Sequence, residues 1–157
     1  MNVENKTIVI TGGGQGLGRA MAVSLAEQGA NFALIDLNEE LLSESVALVE
    51  QAGSTAKFYV ANVTNEEEVE STFKQIKEDF GSIDVLVNNA GILRDGMLLK
   101  AKDGEVVKKM PLSQFQSVID VNLTGVFLCG REAAVHMVEN GTKGVIINMS
   151  SIARNGN

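Results

Sequence analysis

Five short apolar runs, rich in valine, isoleucine and leucine, alternate with longer helical patterns along the chain. Most of these runs are continuously apolar, which is typical of strands covered on both faces. Strands that alternate with helices pair in parallel through right-handed crossovers. The sequence therefore predicts an α/β fold, a doubly wound parallel sheet with helices on both faces. The predicted strands are 6–11, 31–36, 56–62, 83–89 and 144–150, and the predicted helices are 15–29, 38–52, 65–80 and 123–140.

Residue types at the helix ends support this division. Asparagine and serine favour the N-cap, and glycine favours the left-handed position after the last turn. The expected N-caps are Asn38, Asn65 and Ser113, and the expected glycine caps are Gly29, Gly53, Gly81 and Gly141.

The segment 92–112 interrupts the alternation. Asp103-Gly104 lies between two short runs, and Asp-Gly is a strong hairpin signal. We expect an inserted β-hairpin at the C-terminal edge of the sheet, followed by a helical pattern over 112–122. Residues 94–109 hold five of the chain's 13 basic residues. This cluster is typical of a solvated hairpin, and it could also meet an acidic carrier protein or a phosphate group.

Composition and charge limit the class of protein. The chain has 157 residues, 45% of them apolar and 21% charged, as expected for one soluble globular domain. Its net charge of −7 argues against nucleic acid or an anionic membrane as partner. One cysteine, Cys129, excludes an internal disulfide framework, and neither a signal peptide nor a membrane span is evident. We expect a cytoplasmic protein, and the sequence predicts no metal site.

A glycine-rich string, TGGGQGLG, directly follows the first predicted strand and opens the first helix. At such a turn the backbone bends tightly and lies close to a pyrophosphate at the helix N-terminus. Gly12, Gly16 and Gly18 occupy the positions that this geometry requires. The context favours a dinucleotide site over a flexible turn without a ligand.

An acidic residue, Asp36, closes the second predicted strand, near the spacing of about 20 residues expected for the carboxylate that binds the adenosine ribose. A carboxylate accepts hydrogen bonds from ribose hydroxyls and repels a 2′-phosphate. Position 15 is Gln and position 37 is Leu, so neither supplies a cation for that phosphate. NAD(H) is therefore favoured over NADP(H). Asp36 could also cap the following helix, and the two roles are compatible.

Four spaced motifs together resemble the classical short-chain dehydrogenase/reductase family, whose fold is of the Rossmann type. They are TGGGQGLG at 11–18, NNAG at 88–91, VNLTGVF at 121–127 and INMSS at 147–151. The match runs in order over essentially the whole chain. The stretch NNAGILRDGMLL is also similar to the 3-oxoacyl-(acyl carrier protein) reductase branch, although related ketoreductases share much of it.

The resemblance implies roles for named residues. Gly12, Gly16 and Gly18 would face the pyrophosphate, Asp36 would bind the ribose, and Asn62 and Val63 would flank the adenine. An acidic residue usually stands at the position of Asn62. The implied cofactor-binding set is Thr11, Gly12, Gln15, Gly16, Leu17, Gly18, Asp36, Leu37, Asn62, Val63, Asn89, Ala90 and Gly91, with Asn88 also bordering the cofactor while stabilising the central sheet.

Two further residues would take part in catalysis by the same resemblance. Asn122 would bend its helix and hold a proton-relay water. Ser151 would position the substrate, because it lies three residues before Arg154, where the family often has glycine; Ser150 would be structural. Judged without the resemblance, each serine would be an ordinary residue at a strand end.

The family's chemistry also implies a tyrosine general acid and a lysine one helical turn later, both after the serine. The chain ends six residues after Ser151; its single tyrosine, Tyr59, lies in a predicted strand, and His136 lies mid-helix. We therefore expect the N-terminal portion of a longer enzyme, inactive alone and incomplete at its C-terminal side. The run 144–150 would be an uncovered apolar edge strand.

Three accounts of the chain remain open. The first is part of an NAD(H)-dependent oxidoreductase acting on a carbonyl or secondary alcohol, with a 3-oxoacyl thioester as one candidate. The second is a non-catalytic dinucleotide-binding module, and the third is a non-functional truncation product. The expected partners are a small carbonyl or acyl thioester substrate, an acyl carrier protein, further copies in a dimer or tetramer, and a C-terminal fragment of the same protein released by a nick near Gly156.

Overall fold

A computed structural model describes residues 2–155, which form a five-stranded parallel sheet with helices on both faces. The strands of this sheet are β1 (Thr7–Thr11), β2 (Asn31–Asp36), β3 (Ala56–Val60), β4 (Val85–Asn88) and β7 (Val145–Asn148). Their order is β3-β2-β1-β4-β7, so the chain winds outward from β1 in one direction and then in the other. The predicted doubly wound Rossmann-type fold is confirmed, with its switch point between β1 and β4.

Helices cover both faces of the sheet. None of the helices within residues 2–155 is long and apolar enough to cross a bilayer. The predicted nick near Gly156 lies outside the described residues. The helices are α1 (Gly16–Ala26), α2 (Glu39–Gln51), α3 (Glu66–Phe80), α4 (Leu112–Ile119), a π-helical segment (Asp120–Gly125) and α5 (Val126–Glu139), with a 3-10 turn at Ile152–Asn155.

The central strand β1 sends alternate side chains into two separate cores. Ile8 and Ile10 pack with residues of α1 and α2, among them Leu42. Val9 points to the other face, in the core that contains Phe73 of α3 and residues of α5. Since both faces are covered, every residue of β1 is buried. This explains why the strand sequences are continuously apolar instead of alternating.

The helix ends follow the sequence with one exception. Asn38 and Asn65 cap α2 and α3, their side chains accepting from Leu41 N–H at 3.0 Å and Glu68 N–H at 3.2 Å. Ser113 is not an N-cap, because α4 already begins at Leu112, after Pro111. The helices predicted over 112–122 and 123–140 are joined by the π-helical segment into one continuous rod. The four predicted glycine caps all have positive φ: Gly29, Gly53, Gly81 and Gly141.

A two-stranded antiparallel hairpin follows β4, formed by β5 (Leu99–Lys102) and β6 (Glu105–Lys109). Its turn residues Asp103 and Gly104 have φ values of 52° and 84°, which is the conformation that a two-residue hairpin turn with a right-handed twist requires. Every residue of both strands is exposed. The hairpin predicted from Asp103-Gly104 is therefore present, and its two strands bury little of their surface.

Strand β7 is an edge strand of the sheet. It pairs with β4 on one side, and no strand within residues 2–155 pairs with its other edge. Val145, Ile146 and Ile147 are 39%, 38% and 44% exposed. The prediction that both faces of this strand are buried is thus wrong for the described chain, since the helices cover it only in part, whereas the predicted uncovered apolar edge is confirmed.

Asp84 joins the amino ends of β1 and β4. Its carboxylate accepts hydrogen bonds from Thr7 N–H, Lys6 Nζ and Ser82 Oγ, each at 3.0 Å. Burial opposes its ionisation, but these donors outweigh burial and hold the pKa of Asp84 below its usual value. The ionised carboxylate therefore stabilises the fold.

Replacing Asp84 with Asn should lower the free energy of unfolding at pH 7 by about 1–2 kcal/mol, because the ion pair with half-exposed Lys6 is lost. The folded-state pKa is depressed. The stabilisation is therefore present above the unfolded-state pKa of about 4 and is lost as the pH falls through the folded-state value. Urea unfolding between pH 7 and pH 3 should show the difference between the two proteins shrinking. Asp103→Asn, at an exposed turn that suits asparagine, is the control; a gap independent of pH would contradict the assignment.

Candidate cofactor site

A cleft of about 300 Å³ opens at the carboxyl ends of β1, β2 and β4, at the switch point of the sheet. In open α/β sheets this is the position at which ligands bind. Nine of the thirteen sequence-predicted cofactor residues line it. The lining consists of Gly12, Gln15, Ile35, Asp36, Leu37, Ala61, Asn62, Val63, Asn89, Ala90, Gly91, Ile92 and Val121.

The glycine turn forms the floor of the cleft. Gly12 has φ +67°, and a Cβ there would lie 3.0 Å from Ala90 Cα, so a side chain has no space. Gly18 packs directly beneath it, where a Cβ would overlap the Gly12 carbonyl. Helix α1 begins at Gly16 and its N-cap residue makes no side-chain hydrogen bond to the first turn. The first-turn N–H groups, including that of Leu17, lack this partner, as at anion-binding helix ends.

Thr11 joins the two sides of the cleft, which are the glycine turn after β1 and the segment after β4. Its Oγ1 accepts from Asn89 N–H and Ala90 N–H, both at 3.0 Å. Asn89 returns two bonds through Nδ2, to Thr11 O at 3.1 Å and Gly12 O at 3.2 Å. Thr11 is itself buried and does not line the cleft. It supports the turn from below.

Asp36 ends β2 and directs its carboxylate towards the glycine turn. Oδ2 accepts from Gly14 N–H at 3.1 Å, and Oδ1 accepts from Leu37 N–H at 2.7 Å. An ionised carboxylate oxygen can accept about two hydrogen bonds, so Oδ2 can receive a further donor. The N-cap of α2 is Asn38, not Asp36.

Val63 and Asn62 form the wall opposite the glycine turn. Asn62 Oδ1 accepts from Thr64 N–H at 3.0 Å and Thr64 Oγ1 at 2.9 Å, which fixes its amide. Gly125 packs so closely on Val63 that a Cβ would lie 2.9 Å from Val63 Cγ2. Sequence reasoning missed four lining residues: Ile35, Ala61, Ile92 and Val121. Each is an apolar neighbour of a motif residue, and motifs do not mark such positions.

Asn122 lies in the π-helical segment and binds the loop after β4. Its Oδ1 accepts from Ile92 N–H at 2.8 Å, and its Nδ2 donates to Ile92 O at 2.9 Å. The predicted irregularity of this helix is present at Asn122. Both polar groups of its side chain are used, so they fix the position of Ile92 at the cleft.

Two other motif residues lie away from the cleft lining. Ser151 is exposed beyond the carboxyl end of β7, and its Oγ accepts from Ala153 N–H at 3.2 Å. Asn88 does not border the cleft, contrary to prediction. It is buried in the sheet, where Nδ2 donates to Asn148 Oδ1 at 2.9 Å and Val126 O at 3.2 Å.

Tyr59 and Cys129 contribute no reactive group to the cleft. Tyr59 OH donates to Asp79 at 2.7 Å on the α3 side of the sheet, and burial together with Asp79 raises the pKa of Tyr59. Burial also raises the pKa of the Cys129 thiol to about 12, so it stays protonated near neutral pH. Both residues are packing residues.

A family model described as short chain dehydrogenase matches residues 6–156. The chain belongs to the short chain dehydrogenase family. The predicted resemblance is therefore confirmed, and a nicotinamide dinucleotide is the cofactor class of such enzymes.

Curated relatives in the short chain dehydrogenase family act on different substrates. The 2,5-dichloro-2,5-cyclohexadiene-1,4-diol dehydrogenase of Sphingobium indicum is 36% identical over 97% of this chain and 56% of its own length. The 3-oxoacyl-[acyl-carrier-protein] reductase FabG of Staphylococcus aureus is 38% identical over 94% of this chain and 56% of its own. The chain thus spans little more than half the length of the relatives it matches.

Solved structures of short chain dehydrogenases superpose on the whole chain. An NAD⁺-bound xylitol dehydrogenase matches with a TM-score of 0.86 and 34% identity, covering 100% of this chain and 57% of that one. Levodione reductase matches with a TM-score of 0.82 and 36% identity, covering 96% and 55%.

Two glycine substitutions should separate steric from conformational requirements in the turn. Gly18→Ala should lower the free energy of unfolding by about 3 kcal/mol or more, because its Cβ overlaps backbone that cannot move freely. Gly16→Ala should lower it by about 1–2 kcal/mol, since φ is +56° but no atom lies within 4 Å of the added Cβ. Urea unfolding measures both, with Gly53→Ala, also unobstructed at positive φ, as control. Equal losses for Gly16 and Gly18 would contradict the packing described.

Proposed function

We propose that this chain binds NAD(H) in the cleft, and that the whole protein is a cytoplasmic oxidoreductase. It would transfer hydride between the nicotinamide and a carbonyl or secondary alcohol. The observation that carries the proposal is the Asp36 carboxylate, fixed by Gly14 and Leu37 at the end of β2 with Oδ2 open to a donor. Such a group suits the hydroxyls of an adenosine ribose.

The neighbours of Asp36 favour NAD(H) over NADP(H). A 2′-phosphate placed here would meet the negative charge of Asp36. Gln15 and Leu37, which line the cleft beside it, carry no positive charge to compensate. The uncapped start of α1 and the close approach allowed by Gly12 suit a pyrophosphate.

The chain's other contributions would be to position the reacting groups. When bound, the nicotinamide supplies or accepts the hydride. Asn122 would hold Ile92 and the loop after Gly91 in place, through the two bonds described above. Because the Ser151 hydroxyl oxygen accepts from Ala153 N–H, its proton is free to donate to a substrate oxygen.

A non-catalytic dinucleotide-binding module is the second candidate. It is favoured by the position of Tyr59, the single tyrosine of the sequence, which is bound to Asp79 and packed against the α3 side of the sheet. NAD(H) binding without oxidation of NADH by 3-oxoacyl thioesters would support this candidate for the chain alone.

Asp36→Ala should weaken NAD⁺ binding by about tenfold or more, because the charge-assisted hydrogen bonds to the ribose are lost. NADP⁺ binding should weaken less or improve, since the repulsion is removed. Isothermal titration calorimetry of both dinucleotides measures the change, with the exposed Asp103→Ala as control. Tighter binding of NADP⁺ than of NAD⁺ by the unaltered chain would refute the assignment.

An acyl thioester is the substrate class that we propose, delivered by an acyl carrier protein that docks on the hairpin. Lys100 lies directly opposite Lys108 in the β5–β6 register, and like charges so placed repel each other. Neither forms an ion pair with any side chain of residues 2–155. An acidic partner would relieve this repulsion.

Oligomerisation of the whole protein through the rod from α4 to α5 belongs to the same proposal, because Phe115, Leu123 and Phe127 are exposed there.

Charge reversal at both hairpin lysines, Lys100→Glu with Lys108→Glu, should weaken binding of 3-oxoacyl carrier protein by about tenfold and reduce its salt dependence. Surface plasmon resonance at two ionic strengths measures both effects. Lys74→Glu with Lys143→Glu, at exposed lysines of α3 and of the loop before β7, is the matched control. Unchanged affinity in the hairpin variant would show that the lysines only keep the hairpin solvated.

A further inference from the structure

We infer that Arg19 and Ser45 are positioning residues for the Asp36 carboxylate and determine the preference for NAD(H) over NADP(H). They act through the peptide groups of Gly14. The inference rests on the proposed function, because it concerns the adenosine ribose site. None of these three residues lines the cleft.

Gly14 is the point at which the glycine turn contacts both Asp36 and α2. Its N–H donates to Asp36 Oδ2 at 3.1 Å. A Cβ on Gly14 would lie 3.0 Å from Asp36 Oδ2 and 3.2 Å from Leu41 Cβ. The glycine is therefore packed against the carboxylate it bonds, and a displacement of Gly14 changes the orientation of Asp36.

The carbonyl of Gly14 is held from the opposite side. It accepts from Arg19 Nη2 at 2.6 Å and from Ser45 Oγ at 3.0 Å, and the single Ser45 hydroxyl proton is shared with Leu41 O at 3.0 Å. The two donors are joined to each other, since Arg19 Nε donates to Ser45 Oγ at 2.8 Å. Ser45 is fully buried, and the Arg19 side chain is 24% exposed. We call this arrangement of Arg19, Ser45 and Gly14 the Gly14 clasp.

Arg19 also attaches the clasp to the start of α2. Its Nη2 lies 3.0 Å from Leu41 O and 2.9 Å from Glu44 Oε2, sharing its two hydrogens among three acceptors. The planar guanidinium reaches Ser45 through Nε and Gly14 through Nη2 at once. A lysine ammonium cannot reproduce that fork. The clasp thus links α1, the glycine turn and α2 around one carbonyl.

The preference for NAD(H) over NADP(H) follows from holding both the N–H and the carbonyl of Gly14 in place. With its carbonyl held, its N–H stays directed at Asp36 Oδ2, and the carboxylate cannot turn aside to admit a 2′-phosphate. Without the clasp, Asp36 keeps the bond from Leu37 N–H to Oδ1, but the donor to Oδ2 is no longer held in place and the carboxylate is less firmly oriented. The ribose of NAD(H) then loses an oriented acceptor, and a 2′-phosphate meets less repulsion.

The first test compares dissociation constants for NAD⁺ and NADP⁺ by calorimetry on the 157-residue chain. Arg19→Met should weaken NAD⁺ binding by about tenfold and lower the ratio of the NADP⁺ constant to the NAD⁺ constant by a similar factor. Ser45→Ala should produce a smaller change in the same direction, and Arg19→Lys should restore part of the ratio. Arg131→Met is the matched control, because Arg131 binds three carboxylates of α3 and α5 away from the cleft.

The second test needs no dinucleotide. In the unliganded chain, the Gly14 amide followed by NMR should be protected from hydrogen exchange, because its N–H donates to Asp36 Oδ2. Asp36→Ala should remove that protection and so identify it. In Arg19→Met the Gly14 amide should exchange at least about twofold faster with solvent, because its carbonyl anchor is lost.

The outcomes distinguish the inference from the proposed function. If the unaltered chain binds neither dinucleotide, the proposed function is wrong, and the NMR test alone decides whether the clasp orients Asp36. An unchanged exchange rate of the Gly14 amide in Arg19→Met overturns the inference. So does an equal loss of affinity for both dinucleotides, which would mean a structural role only.

Discussion

The parallel pairing of β1 with both β2 and β4 is the constraint on which the molecule depends. Because β1 lies between strands whose connections leave in opposite directions, no loop crosses its carboxyl end. The gap left there becomes the cleft, and the hydroxyl of Thr11 holds its two sides at a constant separation through the amides that follow β4. The cleft residues that follow β1, β2 and β4 therefore keep their positions because all three strands are held together through β1.

The two ends of the same strands serve different purposes. At the amino ends, Asp84 joins β1 to β4 with a buried carboxylate whose three donors belong to the protein. At the carboxyl ends, Asp36 is also bonded to the protein but keeps an oxygen with spare capacity. Asp84 is buried within the fold and stabilises it, whereas Asp36 lines the cleft, where its Oδ2 can receive a further donor. This division lets the cleft keep unsatisfied polar groups without weakening the sheet.

Much of this arrangement could be predicted from residue patterns. The continuous apolar runs indicated a sheet covered on both faces, and Asp103-Gly104 indicated the hairpin turn. Asn88 was misplaced because two adjacent asparagines point to opposite sides of the strand end, and a motif does not say which one enters the cleft. Ser113 was misplaced because proline begins α4 without a polar cap. The Gly14 clasp was not predicted, since it depends on a contact between α1 and α2 that no local pattern encodes.

The π-helical segment changes how the continuous rod formed by α4, this segment and α5 should be aligned with the helices of other proteins. An α-helix turns by about 100° per residue, so a locally wider turn shifts the angular position of everything that follows it. The residues of α5 are therefore rotated about the rod axis relative to the positions that a uniform α-helix from Leu112 would give them, although the rod is unbroken from Leu112 to Glu139. Aligning it as a uniform helix would misassign the faces that the residues of α5 occupy. The same wide turn carries Asn122, so the irregularity of the helix and the anchoring of Ile92 occur at one place in the chain.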